Sequence, residues 1–164
     1  MSSLRECARC EATIKSGSRF KRNTCIYAQY CFQHTRVILG LYLAKSSIPN
    51  SGLGLFTNKA IKKSDKVCDY TGKYKSTEEW NSGNEGDYGL HLTKNLVLDA
   101  RSTQSAIGRY ANNCRNSDKK KNNCKGRNAK FVINQSTKTV SIKATKNIPA
   151  HSEIFISYGT AYWK

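Results

Sequence analysis

The apolar residues of this chain come in short runs, and the longest, Val37 to Ala44, is only eight residues. A membrane-spanning helix takes about 20 apolar residues, so no run here is long enough for one. The other runs fall at 54–57, 66–70, 88–92, 96–99, 130–134, 139–144 and 153–158, each bounded by Gly, Asn, Asp or Ser. Short strands separated by turn formers are the pattern of a β-rich domain. The expected fold is mainly β with few short helices. Residues 37–45 are the expected first strand and Gln135 to Lys138 a hairpin loop. Thr77 to Trp80 predicts one helical turn opened by a Ser or Thr cap, and residues 101–111 predict a second short helix.

With 164 residues the chain is long enough for one domain and a small appendage. It carries 28 Lys and Arg against 11 Asp and Glu, a net charge of +17. Such a balance attracts polyanions whatever the fold. Seven of the acids (Asp65, Asp69, Glu78, Glu79, Glu85, Asp87, Asp99) stand between residues 65 and 99 beside four lysines (Lys66, Lys73, Lys75, Lys94), so that window is locally acidic, at −3. An acidic surface suits a basic peptide, and the cationic remainder suits a nucleic acid that carries the peptide. Met1 to Glu6 shows no apolar signal region. The expectation is a soluble, intracellular protein with no membrane partner. The basic run from Arg115 to Lys125 reads as a surface loop.

Seven cysteines, an odd count, occur with a Cys31-x2-His34 pair and no secretion signal. These features favour metal ligation in a reducing compartment over a disulfide scaffold. Tetrahedral zinc takes four N or S ligands. Residues 1–36 offer five: Cys7, Cys10, Cys25, Cys31 and His34. Cys10, Cys31 and His34 are the firmer three, and Cys7 and Cys25 compete for the fourth place. The segment has too little apolar periodicity to order itself unaided. From Cys10 to Lys21, and again from Tyr30 to His34, it resembles a short zinc knuckle, with Phe20 standing where that motif has its second Cys.

Three further strings recur in a fixed order. Gly52-Leu53-Gly54 removes Cβ atoms where a backbone can approach a ligand. Arg109-Tyr110-Ala111-Asn112-Asn113-Cys114 places two amides, each donor and acceptor, side by side. Ile154 to Gly159 ends on a Ser-Tyr-Gly turn, and Tyr162 and Trp163 follow as an aromatic pair.

Taken in order, residues 37–164 resemble a SET-domain protein lysine methyltransferase. Ile48 to Thr57 resembles the opening cofactor motif of that family, and Asp69-Tyr70-Thr71-Gly72 its Tyr-x-Gly turn. Asp99-Ala100 resembles its Asp-Ala pair, Arg109 to Cys114 its Arg-Phe-Ile-Asn-His-Ser/Cys signature, and Asn128 to Phe131 its Pro-Asn-Ala/Cys-x-Phe segment, with Asn123 an alternative for that Asn. Ile148 to Gly159 resembles its closing Ile-x-x-Gly-Glu-Glu-Leu-x-x-x-Tyr-Gly motif. Asn113 stands for the usual His, and His151-Ser152 for the usual Gly-Glu. No cysteine follows Tyr158, so the zinc-binding tail of many relatives is missing from this sequence.

The resemblance implies a β-clip fold with pseudoknot-like threading of the C-terminal segment, joined to the small N-terminal zinc motif. It implies S-adenosyl-L-methionine on Gly52, Leu53, Gly54, Arg109, Tyr110, Asn112 and Asn113, covered by Trp163. It implies catalysis by Tyr158 with Tyr88 as a second wall, and a lysine channel lined by Tyr70, Ile156 and Tyr162. An aliphatic Ile156, where relatives tend to have an aromatic, implies room for di- or trimethylation. The implied substrate is a histone or another basic protein, with nucleosomal DNA touched by the basic surface, in a nuclear or other intracellular setting, cellular or viral. The competing reading is a zinc-dependent nucleic-acid or chromatin-binding module whose catalytic half has degenerated.

Overall fold

The computed structural model describes residues 4–83, 87–114 and 126–158. The chain is mainly β, and its strands pair in small sheets rather than one large one. β1 (Ala8–Arg9) and β2 (Asn23–Thr24) make a two-residue antiparallel ribbon. A short helical passage follows, α1 (Phe32–His34) running into a π turn at Thr35–Leu39 that left-handed Gly40 closes. β3 (Leu41–Lys45) and β4 (Leu53–Thr57) form an antiparallel pair.

β5 (Lys66–Tyr70) leads to β6 (Lys73–Ser76), α2 (Thr77–Ser82), β7 (Gly89–Thr93) and β8 (Leu96–Asp99), and β6-β8-β7 form one antiparallel sheet. A 3-10 turn, Ile107–Tyr110, precedes β9 (Asn112–Asn113). β10 (Ala129–Ile133) and β11 (Val140–Ala144) add to β5 in the order β10-β11-β5. β12 (Phe155–Ile156) lies parallel to β9.

β5 and β8 match their sequence expectation residue for residue, β4 and β11 differ by one residue at one end, and β7 and β10 are displaced by one residue as a whole. α2 opens as expected, through a reciprocal capping box: Ser76 Oγ accepts from the Glu79 N–H at 3.1 Å, and Glu79 Oε2 accepts from the Ser76 N–H at 3.0 Å.

Three expectations need correction. The strand expected over 37–45 begins only at Leu41, because β4 ends at Thr57 opposite Leu41 and residues before it have no strand to pair with. Val37 and Ile38 are accordingly exposed, at 80% and 47%. The helix expected over 101–111 shrinks to the 3-10 turn, because Arg101 and Thr103 give their backbone to Leu4. The late strand expected over 153–158 shrinks to β12, because the segment changes partner: Glu153 bridges Phe56 and Ile154 N–H bonds Leu55, whereas Phe155 and Ile156 pair with Asn112 and Asn113.

Leu41, Leu55, Leu98, Ile142, Ile148, Ile154 and Ile156 are the large side chains most completely buried, and they come from β3, β4, β8, β11, β12 and the run into β12. The core thus joins the four small sheets that follow residue 40, and dispersion within it fixes their mutual placement. The N-terminal segment has its own small cluster of Cys10, Ala12 and Cys31, with Phe20 and Tyr30 against it. It is also stitched to the rest. Gln104 Nε2 donates to the carbonyls of Glu6 and Thr24, Leu43 N–H to the Tyr27 hydroxyl, and the Tyr110 hydroxyl to the Ile26 carbonyl.

Candidate active site

Two hollows meet at one wall. The first is a narrow slot of about 30 Å³ lined by Tyr70, Leu90, Phe131 and Ile156 among others. The second is an open cleft of about 320 Å³ lined by Asn50, Ser51, Asn112 and Asn113. Asp87, Tyr88 and Tyr158 line both. A cleft of this size lies in the range that holds a small molecule or cofactor.

Behind Asn112, one of the residues lining the cleft, stands a buried carboxylate. Glu153 is buried and accepts from Ser46 Oγ at 2.6 Å, from Ser47 N–H at 2.9 Å and from Ser47 Oγ at 2.7 Å. Asn112 Nδ2 reaches it at 3.4 Å and donates to the Leu53 carbonyl at 3.1 Å. A Cβ on Gly54 would collide with this same carboxylate, so glycine is required there by Glu153. Gly52 has a positive φ of 66° with open space around it, which suits the turn between β3 and β4. Gly52, Leu53 and Gly54 are therefore held in place by Glu153 and Asn112, a partner set the sequence reading left unassigned. Its signal was the acidic residue retained in the closing motif at 153.

Asn113 is the outstanding polar group of the cleft. Both its Nδ2 and its Oδ1 are buried without a hydrogen-bond partner among the described residues. An unsatisfied buried amide costs about 1–3 kcal/mol, and a ligand with its own donors and acceptors would remove that cost. The donor set of Asn112 and Asn113 beside a close-approach glycine loop fits a polar cofactor with an adenine and an amino-acid end.

The slot is apolar and aromatic. Tyr70 donates its hydroxyl to the Tyr88 carbonyl at 3.1 Å and meets Phe131 edge-on at 4.8 Å. Burial pushes the Tyr70 hydroxyl above its ordinary value, against the opposing charge of Arg109, so it stays protonated. Ile156 is 1% exposed and faces the slot. Tyr158 donates its hydroxyl to the Ala111 carbonyl at 3.0 Å. Its proton is thereby directed at that carbonyl.

Arg109 and Tyr110 are placed differently from the cofactor role the family implies. The buried Arg109 guanidinium donates to the carbonyls of Ala100 at 2.8 Å and Arg101 at 3.0 Å. It lies 4.1 Å from the Tyr88 ring centroid and 4.9 Å from that of Tyr110. Arg109 lines the slot and not the cleft, so it acts as a prop for Tyr88. Tyr110 lines neither hollow and turns its hydroxyl to Ile26. The reason is local: the 3-10 turn points both side chains back toward the Asp99-Ala100 strand end and the N-terminal segment. Tyr162 and Trp163, expected as channel wall and cofactor cover, lie outside the described residues, as does Asn123. Asn128 clamps the closing segment, donating to the Glu153 carbonyl and accepting from Phe155 N–H, both at 2.8 Å. Asp87 was missed as a site residue. Its signal was its place directly before Tyr88 within the acidic window.

The acids of that window do not form one face. Asp69 pairs with Lys66, Glu79 caps α2, and Asp99 is held by Lys75 and Arg101, whereas Asp87 lines both hollows.

In the N-terminal segment, Cys10 Sγ and Cys31 Sγ lie 3.5 and 3.3 Å from His34 Nδ1, and all three ligand atoms fall within 4.8 Å of one another. Such a set fits a divalent, thiophilic cation such as zinc. Cys7 and Cys25 are a correction. They are bonded to each other as a disulfide, so neither is a thiolate for a metal, and metal ligation does not replace disulfide formation throughout. Their strand neighbours explain it: β1 pairs with β2, which brings residues 7 and 25 together beside the ribbon.

Comparison with curated proteins finds no match for this chain. The family model described as the SET domain matches residues 52–159, which run from the glycine loop through both asparagines to the Tyr158 turn. That family is one of methyltransferases that bind S-adenosylmethionine, and the matched span covers the slot, the shared wall and all of the cleft lining but Asn50 and Ser51. The chain belongs to the SET-domain family.

Proposed function

We propose that this chain is an S-adenosyl-L-methionine-dependent protein lysine N-methyltransferase acting on a histone or another basic protein. The observation that carries it is the wall of Asp87, Tyr88 and Tyr158 shared by the cleft and the slot. A donor in one and an acceptor in the other would meet there, as an in-line transfer between two large partners needs.

S-adenosylmethionine supplies an electrophilic methyl on a sulfonium. Asn112 and Asn113 would hold it in the cleft, beside the loop of Gly52, Leu53 and Gly54, which does not itself line the cleft. The aromatic slot strips water from an incoming amine, which disfavours its charged form and helps it lose a proton to solvent. The Tyr158 oxygen, its own proton given to Ala111, accepts from an amine N–H and so aims the nitrogen lone pair. Tyr88, steadied by Arg109, closes the other side. Tyr70 holds its proton and is no general base. Ile156 leaves the slot end without an aromatic, which supports di- or trimethylation.

The Asp87 carboxylate at the shared wall supports a basic substrate. The +17 net charge supports a substrate bound to nucleic acid, such as nucleosomal DNA, in a nuclear or other intracellular setting. Among the described residues no helix is long and apolar enough to cross a membrane. Zinc on Cys10, Cys31 and His34 would be structural, ordering a segment whose own cluster is small.

The test is transfer of a labelled methyl from S-adenosylmethionine to mixed core histones, followed by mass spectrometry. Di- or trimethyllysine on a histone is expected. A protein that binds the cofactor yet labels no histone and no other basic protein would overturn the reading. A product that stops at monomethyllysine would overturn the part assigned to Ile156.

A further inference from the structure

Tetrahedral zinc in a closed structural site takes four protein ligands, and among the described residues the N-terminal cluster brings together three. Cys10 Sγ, Cys31 Sγ and His34 Nδ1 share one spot. The two other cysteines of the segment, Cys7 and Cys25, are consumed in their own disulfide. One side of the cluster is bordered by a phenyl ring: Phe20 stands edge-on to His34 with ring centroids 4.7 Å apart and packs on the cluster of Cys10, Ala12 and Cys31. Phe20 has no atom that can ligate.

The three ligands are nonetheless prepared for a cation. Cys31 N–H donates to Cys10 Sγ at 3.2 Å, which stabilises a thiolate there, and Cys10 and Cys31 are 0% and 2% exposed. His34 and Phe20 are only half-buried, so the cluster opens toward solvent on the side where the fourth ligand belongs.

We propose that Cys10, Cys31 and His34 hold one zinc-class cation through three protein ligands, and that the fourth position, bordered by Phe20, is left to water or a small external donor such as a thiol or imidazole. This rests on the zinc reading given above and goes beyond it. Three protein ligands hold a metal more weakly than four, and an open position lets incoming ligands exchange it. The site is then one that can be loaded and stripped, unlike a closed structural knuckle.

The test uses Co²⁺ in the full chain, titrated anaerobically without added reductant so that the Cys7–Cys25 bond survives. Tetrahedral Co²⁺ with thiolates gives visible d–d bands and a sulfur charge-transfer band. Added imidazole is expected to shift the d–d bands saturably in the wild type. Phe20→Cys should bind Co²⁺ at least tenfold more tightly and lose the response to imidazole. The Cys7→Ser/Cys25→Ser double variant and Cys124→Ser (a residue outside the described ones) should keep the wild-type spectrum and response. Bands that ignore imidazole in the wild type overturn the open position while leaving the zinc reading standing. So does a spectrum altered by Cys7→Ser/Cys25→Ser or by Cys124→Ser. Absence of any cobalt band overturns both. Should Phe20→Cys fail to fold, the imidazole titration of the wild type decides alone.

Discussion

At the scale of single residues, the two tyrosines and two asparagines of the site have separable duties. In the proposed mechanism, Tyr158→Phe removes the oxygen that would aim the amine and leaves the cleft lined as before. Turnover should fall by at least about 100-fold, roughly 2.7 kcal/mol of barrier, with cofactor affinity unchanged by calorimetry. Asn113→Ala tests the orphaned amide with the opposite pattern. Removing a buried group that nothing satisfies should leave the ligand-free melting temperature equal or higher, while S-adenosylmethionine binds about tenfold more weakly. A ligand-free protein that melts much lower would mean the amide is already satisfied. Asp87→Asn should raise KM for a basic peptide, more at low salt than at high, with kcat little changed. Of these residues, Tyr158 and the asparagines were legible in the sequence because their motifs are contiguous. Asp87 was not, since a lone acid acquires meaning only when folding sets it between two hollows. Arg109 and Tyr110 belong to the same contiguous motif, yet only three-dimensional packing assigns them to Tyr88 and Ile26.

Among elements, the glycine pattern carries the clearest physical lesson. His151 sits at a positive φ of 60°, the place where relatives have Gly, and its N–H bonds the Thr57 carbonyl at 2.7 Å. A left-handed conformation costs a residue with a Cβ about 1 kcal/mol or more, though His tolerates it better than most. His151→Gly should therefore stabilise the fold by up to about 1 kcal/mol, read from denaturant midpoints. Asp99, at the end of β8, shows the electrostatics of the strand end. Burial alone would raise its carboxyl, but hydrogen bonds from Arg101 and Lys75 more than reverse this and hold it below the ordinary carboxylate range. A carboxyl lowered by folding contributes stability that is present above its unfolded value, about 3.9, and is lost as pH falls through its folded value. Asp99→Asn should remove that acid-side dependence and cost about 2–3 kcal/mol at neutral pH, since Lys75 and Arg101 are then left facing one another. Strand positions were largely readable from alternation and turn formers. Where they were not, at 37–40 and 153–158, the deciding factor was which partner strand had edges left to pair, and periodicity within one segment carries no such information.

For the whole molecule, the division at residue 36 describes composition better than it describes mechanics. Tyr27 accepts from Leu43, Ile26 accepts from Tyr110, and Leu4 runs beside Arg101 and Thr103. A chain starting at residue 37 should melt several degrees lower than the full chain, because those bonds and the packing around them are lost together. Equal melting temperatures would show two independent units. The cysteine arithmetic was half legible: the metal-ligand spacing of Cys31 and His34 stands in the sequence, whereas the choice between bond and ligand for Cys7 and Cys25 depended on which strands meet. Cys68 was never a ligand candidate, and burial, then the charge of Asp69, pushes its thiol up to about 12, in keeping with its place in the core.

Glu153 gathers Ser46, Ser47 and Asn112 onto one carboxylate before any ligand arrives. Ordering those backbone and side-chain torsions is thus settled when the chain folds. A methyl donor would then encounter a mould already set, and little of its binding free energy would go into arranging the loop that receives it.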